Sequence, residues 1–146
     1  DYPFVDAVTS PDDKPAFKEA IPPYMCRMFD ELYSKPEERG NPNVSPLYAD
    51  INDMKGLPPA AVITAELDSL CEEGEKYALK LMQAGVPVYA RRFLGAPHAF
   101  VELGSNRDGL KNMPPEMVAN LPENLEEMAD EGIKFITEAL RLFLNI

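Results

Sequence analysis

Two side chains in this sequence have the types and positions to do acid–base chemistry together. Asp68 follows a short apolar run, Ala60 to Ala65 (AAVITA), and His98 follows a second run, Val86 to Leu94 (VPVYARRFL). In open α/β sheets, functional groups gather at the carboxyl ends of strands. Adjacent parallel strands would bring these two tips together. A carboxylate meeting an imidazole Nδ1–H fixes the tautomer and stabilises the imidazolium, which is the supporting half of a hydrolytic triad. Each residue also has an ordinary reading. An aspartate just before a helix serves as a cap or turn residue. A histidine in a proline-containing turn, here Ala96-Pro97-His98-Ala99, serves at a surface or in packing. The pattern alone leaves both readings open.

The elements that must position these residues are legible from periodicity. AAVITA is continuous, apolar and β-branched in part, consistent with a strand buried on both faces of a parallel sheet. Between the two runs, Leu70, Tyr77, Ala78, Leu81 and Met82 mark one face of a helix. Ser69-Leu70-Cys71-Glu72 reads as its capping box and Gly85 as its end. The second strand alternates imperfectly and carries Arg91-Arg92, which suits an edge or partner-facing position. Upstream, Met25, Met28, Phe29, Leu32 and Tyr33 predict an amphipathic helix entered through Pro22-Pro23, with the two methionines in the core. Residues 1–20 read as loop, with a strand stub at Tyr2, Phe4 and Val5. A polar stretch over 104–124 reads as irregular. Leu125, Met128, Ala129, Ile133, Ile136, Ala139, Leu140 and Phe143 then trace a long final helix. The order predicts an α/β fold of two to three parallel strands flanked by helices. So few strands look like part of a larger sheet, with a portion upstream missing.

Composition narrows the function classes. The 146 residues fit one domain, with 25 acidic against 14 basic side chains and a net charge of −11. Such a chain repels phosphate backbones, so nucleic acid is not an expected partner. No apolar run approaches the roughly 20 residues that span a bilayer. Cys26 and Cys71 lie far apart without a CxxC or Cys/His cluster, which argues against a disulfide framework or a zinc site. They read as two reduced thiols in a cytoplasmic protein. Glu72, Glu73 and Glu75 read as a solvated helix N-terminus and not as metal ligands; neither metal nor cofactor is expected.

Most of the chain resembles the C-terminal part of hormone-sensitive-lipase-like α/β-hydrolases, the carboxylesterase and acetyl-esterase group. The matching pieces are SPLYAD (Ser45–Asp50), LPPAAVITAELDSL (Leu57–Leu70), EEGEKYA (Glu72–Ala78), AGVPVYARRFLG (Ala84–Gly95) and HAF (His98–Phe100), with DYPFVD and IPPYMCRMFDELY before them. The segment from Gly104 to Asn124 has no counterpart. The resemblance implies that Asp68 is the triad acid and His98 the general base. Where the family has Asp-Pro-Leu and His-Gly-Phe, this chain has Asp68-Ser69-Leu70 and His98-Ala99-Phe100. Both reactive residues are kept, while Ala99 replaces a glycine that tolerates backbone angles alanine resists.

The family reaction also needs a G-x-S-x-G nucleophile elbow and an HGGG-type oxyanion loop, both upstream in chain order. Neither occurs among the 146 residues, and Ser10, Ser34, Ser45, Ser69 and Ser105 all lack the flanking glycines. Cys71 sits in the first turn of a helix, but only three positions from Asp68 and without an oxyanion loop, so it is not expected to substitute. The chain reads as a partial α/β-hydrolase domain over residues 1–146, inert alone, whose parent hydrolyses short acyl or acetyl esters. A non-catalytic ligand- or partner-binding module is the alternative, and keeping both Asp68 and His98 argues against it. The resemblance further implies a homodimer contact along Val86–Phe93, and the missing N-terminal half of the hydrolase as a partner.

Overall fold

The two runs expected to pair do so in parallel. The computed structural model describes residues 23–146, so the expected loop over 1–20 and its strand stub lie outside the described residues. Strand β1, Ala60–Leu67, runs beside β2, Val88–Pro97, from Ala60↔Val88 to Ala65↔Phe93. Helix α2, Cys71–Gln83, connects them, and α6, Leu125–Leu144, also packs on the sheet. Neighbouring strand residues point to opposite faces. Arg92 reaches Glu75 on α2 while Arg91 reaches Glu131 on α6, so the two helices cover opposite sides. The Arg91-Arg92 pair, expected at an edge or facing a partner, lies on a strand that is an edge among the described residues and tethers each covering helix to β2.

Within that frame β1 is less buried than its composition suggests. Thr64 and Ala65 are buried, but Ala60 to Ile63 are only half-buried. A strand in a two-stranded sheet has an open edge, and helices on its faces do not close that edge. The core forms in two places instead. Ala65, Phe93, Ala96, Phe100 and Leu125 meet at the carboxyl ends of the strands. Met54, Leu81, Ala84 and Val86 meet at the other end, where the final turn of α2 enters β2. That turn is a Schellman closure: Val86 N–H donates to Leu81 C=O and Gly85 N–H to Met82 C=O, with Gly85 at φ 82°.

Two expectations are corrected here. Helix α1, Pro23–Tyr33, begins on a proline as predicted, but Met28, placed in the core from sequence, is 43 % exposed, and Leu32 is 79 % exposed. An apolar stripe marks a face that needs a cover, and the described elements leave this one open. The side chains of Met25 and Cys26 are outside the described residues. The segment after His98 is also more ordered than its polarity suggests. It contains α3, Phe100–Ser105, and two single-turn helices, α4, Arg107–Leu110, and α5, Pro115–Val118. Helix α3 lies close against α6 at Gly104, where an added Cβ would stand 2.5 Å from Ala129 Cβ and 2.5 Å from the Leu125 carbonyl oxygen. Among the described residues, no helix is long and apolar enough to cross a membrane.

Candidate functional site

Asp68 and His98 meet at the carboxyl ends of the paired strands. His98 Nδ1 lies 2.8 Å from Asp68 Oδ2. An ionised carboxylate only accepts, so Nδ1 carries the proton and donates it. The Asp68 side chain is 13 % exposed and that of His98 34 %. The hydrogen bond to Asp68 is the main cause holding the His98 pKa above its ordinary value of 6.5. Partial burial opposes that shift, and the charges of Asp68 and Glu102 add to it.

The turn that carries Asp68 uses both its side chain and its backbone. Asp68 Oδ1 accepts the Leu70 N–H at 2.9 Å, and its backbone oxygen accepts the Cys71 N–H. The capping box expected at Ser69 is absent: α2 starts at Cys71, and Ser69 Oγ is buried without a hydrogen-bond partner. Asp68 already satisfies the first free donor of the turn, so the serine hydroxyl is displaced from that role. The turn reading of Asp68 and its contact with the imidazole are both realised, one on each carboxylate oxygen, while the N-cap of α2 is Leu70.

On the other strand, the chain turns sharply after His98. Ala99 sits at φ 58°, ψ 26°, in the left-handed region. Helix α3 follows at once, with Phe100 buried against Phe93 at a ring separation of 4.9 Å. His98 is thus held between a strand end and a helix anchored in the core. Below the pair opens a cleft of about 430 Å³, lined by Asp68, Cys71, His98, Phe100, Glu102 and Ile136 among others.

Cys71 faces this cleft but is a poor nucleophile. Burial above all pushes its thiol pKa up; a hydrogen bond with Thr64 opposes that, the neighbouring Glu75 charge adds to it, and the Arg92 charge opposes it, with burial prevailing. Its Sγ lies 3.7 Å from Glu75 Oε1. A thiol held protonated has little thiolate to react. Glu75, taken from sequence as a solvated charge, in fact receives Arg92 through Nε at 2.7 Å and a terminal nitrogen at 2.6 Å, and Thr64 Oγ1 at 3.2 Å. Arg92 above all keeps the Glu75 carboxyl below its usual range. This network ties β1, α2 and β2 together beside the pair. Among the described residues, no three His, Cys, Asp or Glu side chains converge as a metal ion would require.

Sequence reasoning missed Glu102. It stands on α3, which begins only at Phe100, beyond the left-handed Ala99, and its charge adds to the upward shift of the His98 pKa. No motif or spacing in the sequence singles it out.

Comparison with known proteins gives one picture. A family profile for the alpha/beta hydrolase fold matches residues 1–102. The chain is similar to an arylesterase of Saccharolobus solfataricus, 51 % identical over 67 residues that cover 46 % of this chain and 21 % of the relative. It is similar to hormone-sensitive lipase of Ictidomys tridecemlineatus, 38 % identical over 74 residues, 51 % of this chain and 10 % of that protein. A solved structure from work on two fungal esterases of Rhizomucor miehei superposes with a TM-score of 0.57 at 35 % identity, covering 82 % of this chain and 32 % of that one. The matched region thus spans no more than 32 % of any of these three proteins.

Proposed function

This chain belongs to the α/β-hydrolase fold family, and on that premise we propose that it carries the acid and the base of a serine carboxylic-ester hydrolase. The observation that carries the reading is the 2.8 Å contact between His98 Nδ1 and Asp68 Oδ2, at the ends of adjacent parallel strands and beside an open cleft. With Nδ1–H given to Asp68, the lone pair of Nε2 is left for a serine hydroxyl. His98 takes that proton as the serine attacks the ester carbonyl, then returns it to the departing alcohol. Water repeats the cycle to release the acid. Asp68 orients the imidazole and stabilises its charged form throughout.

None of the chain's five serines has the G-x-S-x-G setting. The nucleophile and oxyanion donors therefore belong to a further part of the polypeptide, and this chain alone is inert, because those groups supply the largest catalytic contributions. The substrate is an ester of a short acyl group such as acetyl, the class that the resemblance implies. The free Cys71 thiol fits a cytoplasmic setting. Val86–Phe93 forms a homodimer contact, supported by the open outer edge of β2 among the described residues. Val88→Pro should abolish the dimer in sedimentation, and a variant that still sediments as a dimer rejects this contact.

The reading is tested in two steps. The purified 146-residue chain, treated with a fluorophosphonate serine-hydrolase probe, should show no adduct by intact mass spectrometry; an adduct on one of its serines overturns the missing nucleophile. In a longer esterase polypeptide containing this chain, His98→Ala should lower acetyl-ester hydrolysis by roughly 10³-fold or more. Activity kept within a few-fold of the parent rejects the assignment of His98.

A further inference from the structure

The spacing that brings His98 to Asp68 is not the spacing of the strand ladder. From Ala60↔Val88 to Ala65↔Phe93, paired residues differ by 28 positions, whereas at Leu67↔Pro97 they differ by 30. Asp68 and His98 also differ by 30. Between the two registers a single residue, Glu66, stands opposite three: Leu94, Gly95 and Ala96. Had the ladder run on at 28, Asp68 would face Ala96, which has no side chain to receive a carboxylate. Two extra residues preserve the in–out alternation that one extra would have reversed. The strand can therefore resume with its core face unchanged.

Three details show how the irregularity is held. Gly95 lies at φ 71°, in the region that favours glycine. Its N–H donates to Glu66 Oε2 at 2.8 Å, a side-chain acceptor reaching across from the other strand. Leu94 is pushed outward and left 70 % exposed, while Phe93 and Ala96 on either side of Leu94-Gly95 stay buried. We infer that Glu66 and Gly95 form a register clamp, whose two-residue bulge sets His98 and not Ala96 against Asp68. Both are positioning residues; neither is placed against the reacting atoms. The inference rests on the Asp68–His98 reading above and adds what sets the alignment of that pair.

The test uses the 146-residue chain and its single histidine, whose ring gives one set of imidazole resonances by NMR. The groups that bear on this ring are Asp68 from the β1–α2 turn and Glu102 on α3, and the Cys71 thiol on α2 lines the same cleft. In the unaltered chain His98 should titrate above its ordinary value, and Asp68→Asn should remove that upward shift. Glu66→Ala should remove it as well, while Glu66→Gln, which keeps an acceptor for Gly95, should retain most of it. Gly95→Val, which resists the left-handed turn, should behave like Glu66→Ala. If both Glu66→Ala and Gly95→Val titrate as the parent does, the clamp is overturned. If Asp68→Asn leaves His98 unchanged, the pair itself fails, a different result. A measurement needing no variant guards against misfolding. The Gly95 amide proton, held by Glu66 Oε2, should exchange with deuterium far more slowly than an open-chain amide, and a Gly95 amide that exchanges at the open-chain rate overturns the clamp.

Discussion

Gly104→Ala sets two well-known effects against each other at one atom. Alanine is the better helix former by about 1 kcal/mol, so on propensity alone the change in α3 should stabilise. The structure argues the other way. The new Cβ would lie 2.5 Å from both Ala129 Cβ and the Leu125 carbonyl oxygen, where ordinary contact begins at 3.4 Å. The helices must part by roughly 0.9 Å, and a backbone oxygen cannot swing aside as a side chain can. Overpacking of this kind costs about 1–3 kcal/mol, and the double backbone and Cβ clash belongs at the upper end. The net expectation is a loss of about 1–2 kcal/mol, or roughly 3–8 °C in Tm for a chain of this size. Urea unfolding followed by circular dichroism measures it, with an unchanged slope showing that only stability moved. Gly40→Ala is the control. Nothing lies within 4 Å of its added Cβ, so it should be neutral or gain up to about 1 kcal/mol. If Gly104→Ala is as stable as the parent, the close approach of α3 to α6 does not constrain the fold, and the reasoning is wrong.

Three further outcomes are expected. Ala99→Gly should stabilise by about 0.5–1 kcal/mol, because relief of roughly 1–2 kcal/mol of left-handed strain exceeds the roughly 0.4–1 kcal/mol that glycine adds to the unfolded entropy; any loss in the same urea assay refutes it. The His98 pKa is raised in the folded chain, so its contribution is fully present below about pH 6.5 and is lost as pH rises through the folded value. The stability gap between the parent and Asp68→Asn should accordingly be wider near pH 6 than above pH 8, and a gap that widens with pH would contradict the sign. Cys71, buried and with its thiol pKa raised, should resist iodoacetamide at neutral pH until the chain is unfolded, as peptide mass spectrometry reads directly; rapid labelling in the folded chain would show a reactive thiolate there.

What the sequence by itself determined follows from near neighbours. A continuous apolar run located β1, an imperfect alternation located β2, a 3.6-residue stripe located α6, and Gly85 marked the end of α2, because burial period and turn preference are written within a few positions. The two ends where Asp68 and His98 sit followed from strand order, and the absent G-x-S-x-G elbow could be read by inspection. Other features depended on partners distant in the chain. The side chain of Asp68 divides between Leu70 and His98, and no local pattern tells a serine at 69 that its capping role is already taken. Arg91 and Arg92 looked alike in sequence until two helices on opposite faces gave each its own carboxylate. Only the tertiary structure decided the alignment of the pair, because a strand's register depends on contacts across the sheet. Ala60 to Ala65 would pair equally well whether or not a bulge followed, and the two residues that bring His98 level with Asp68 show only once Glu66 and Gly95 meet across the strands.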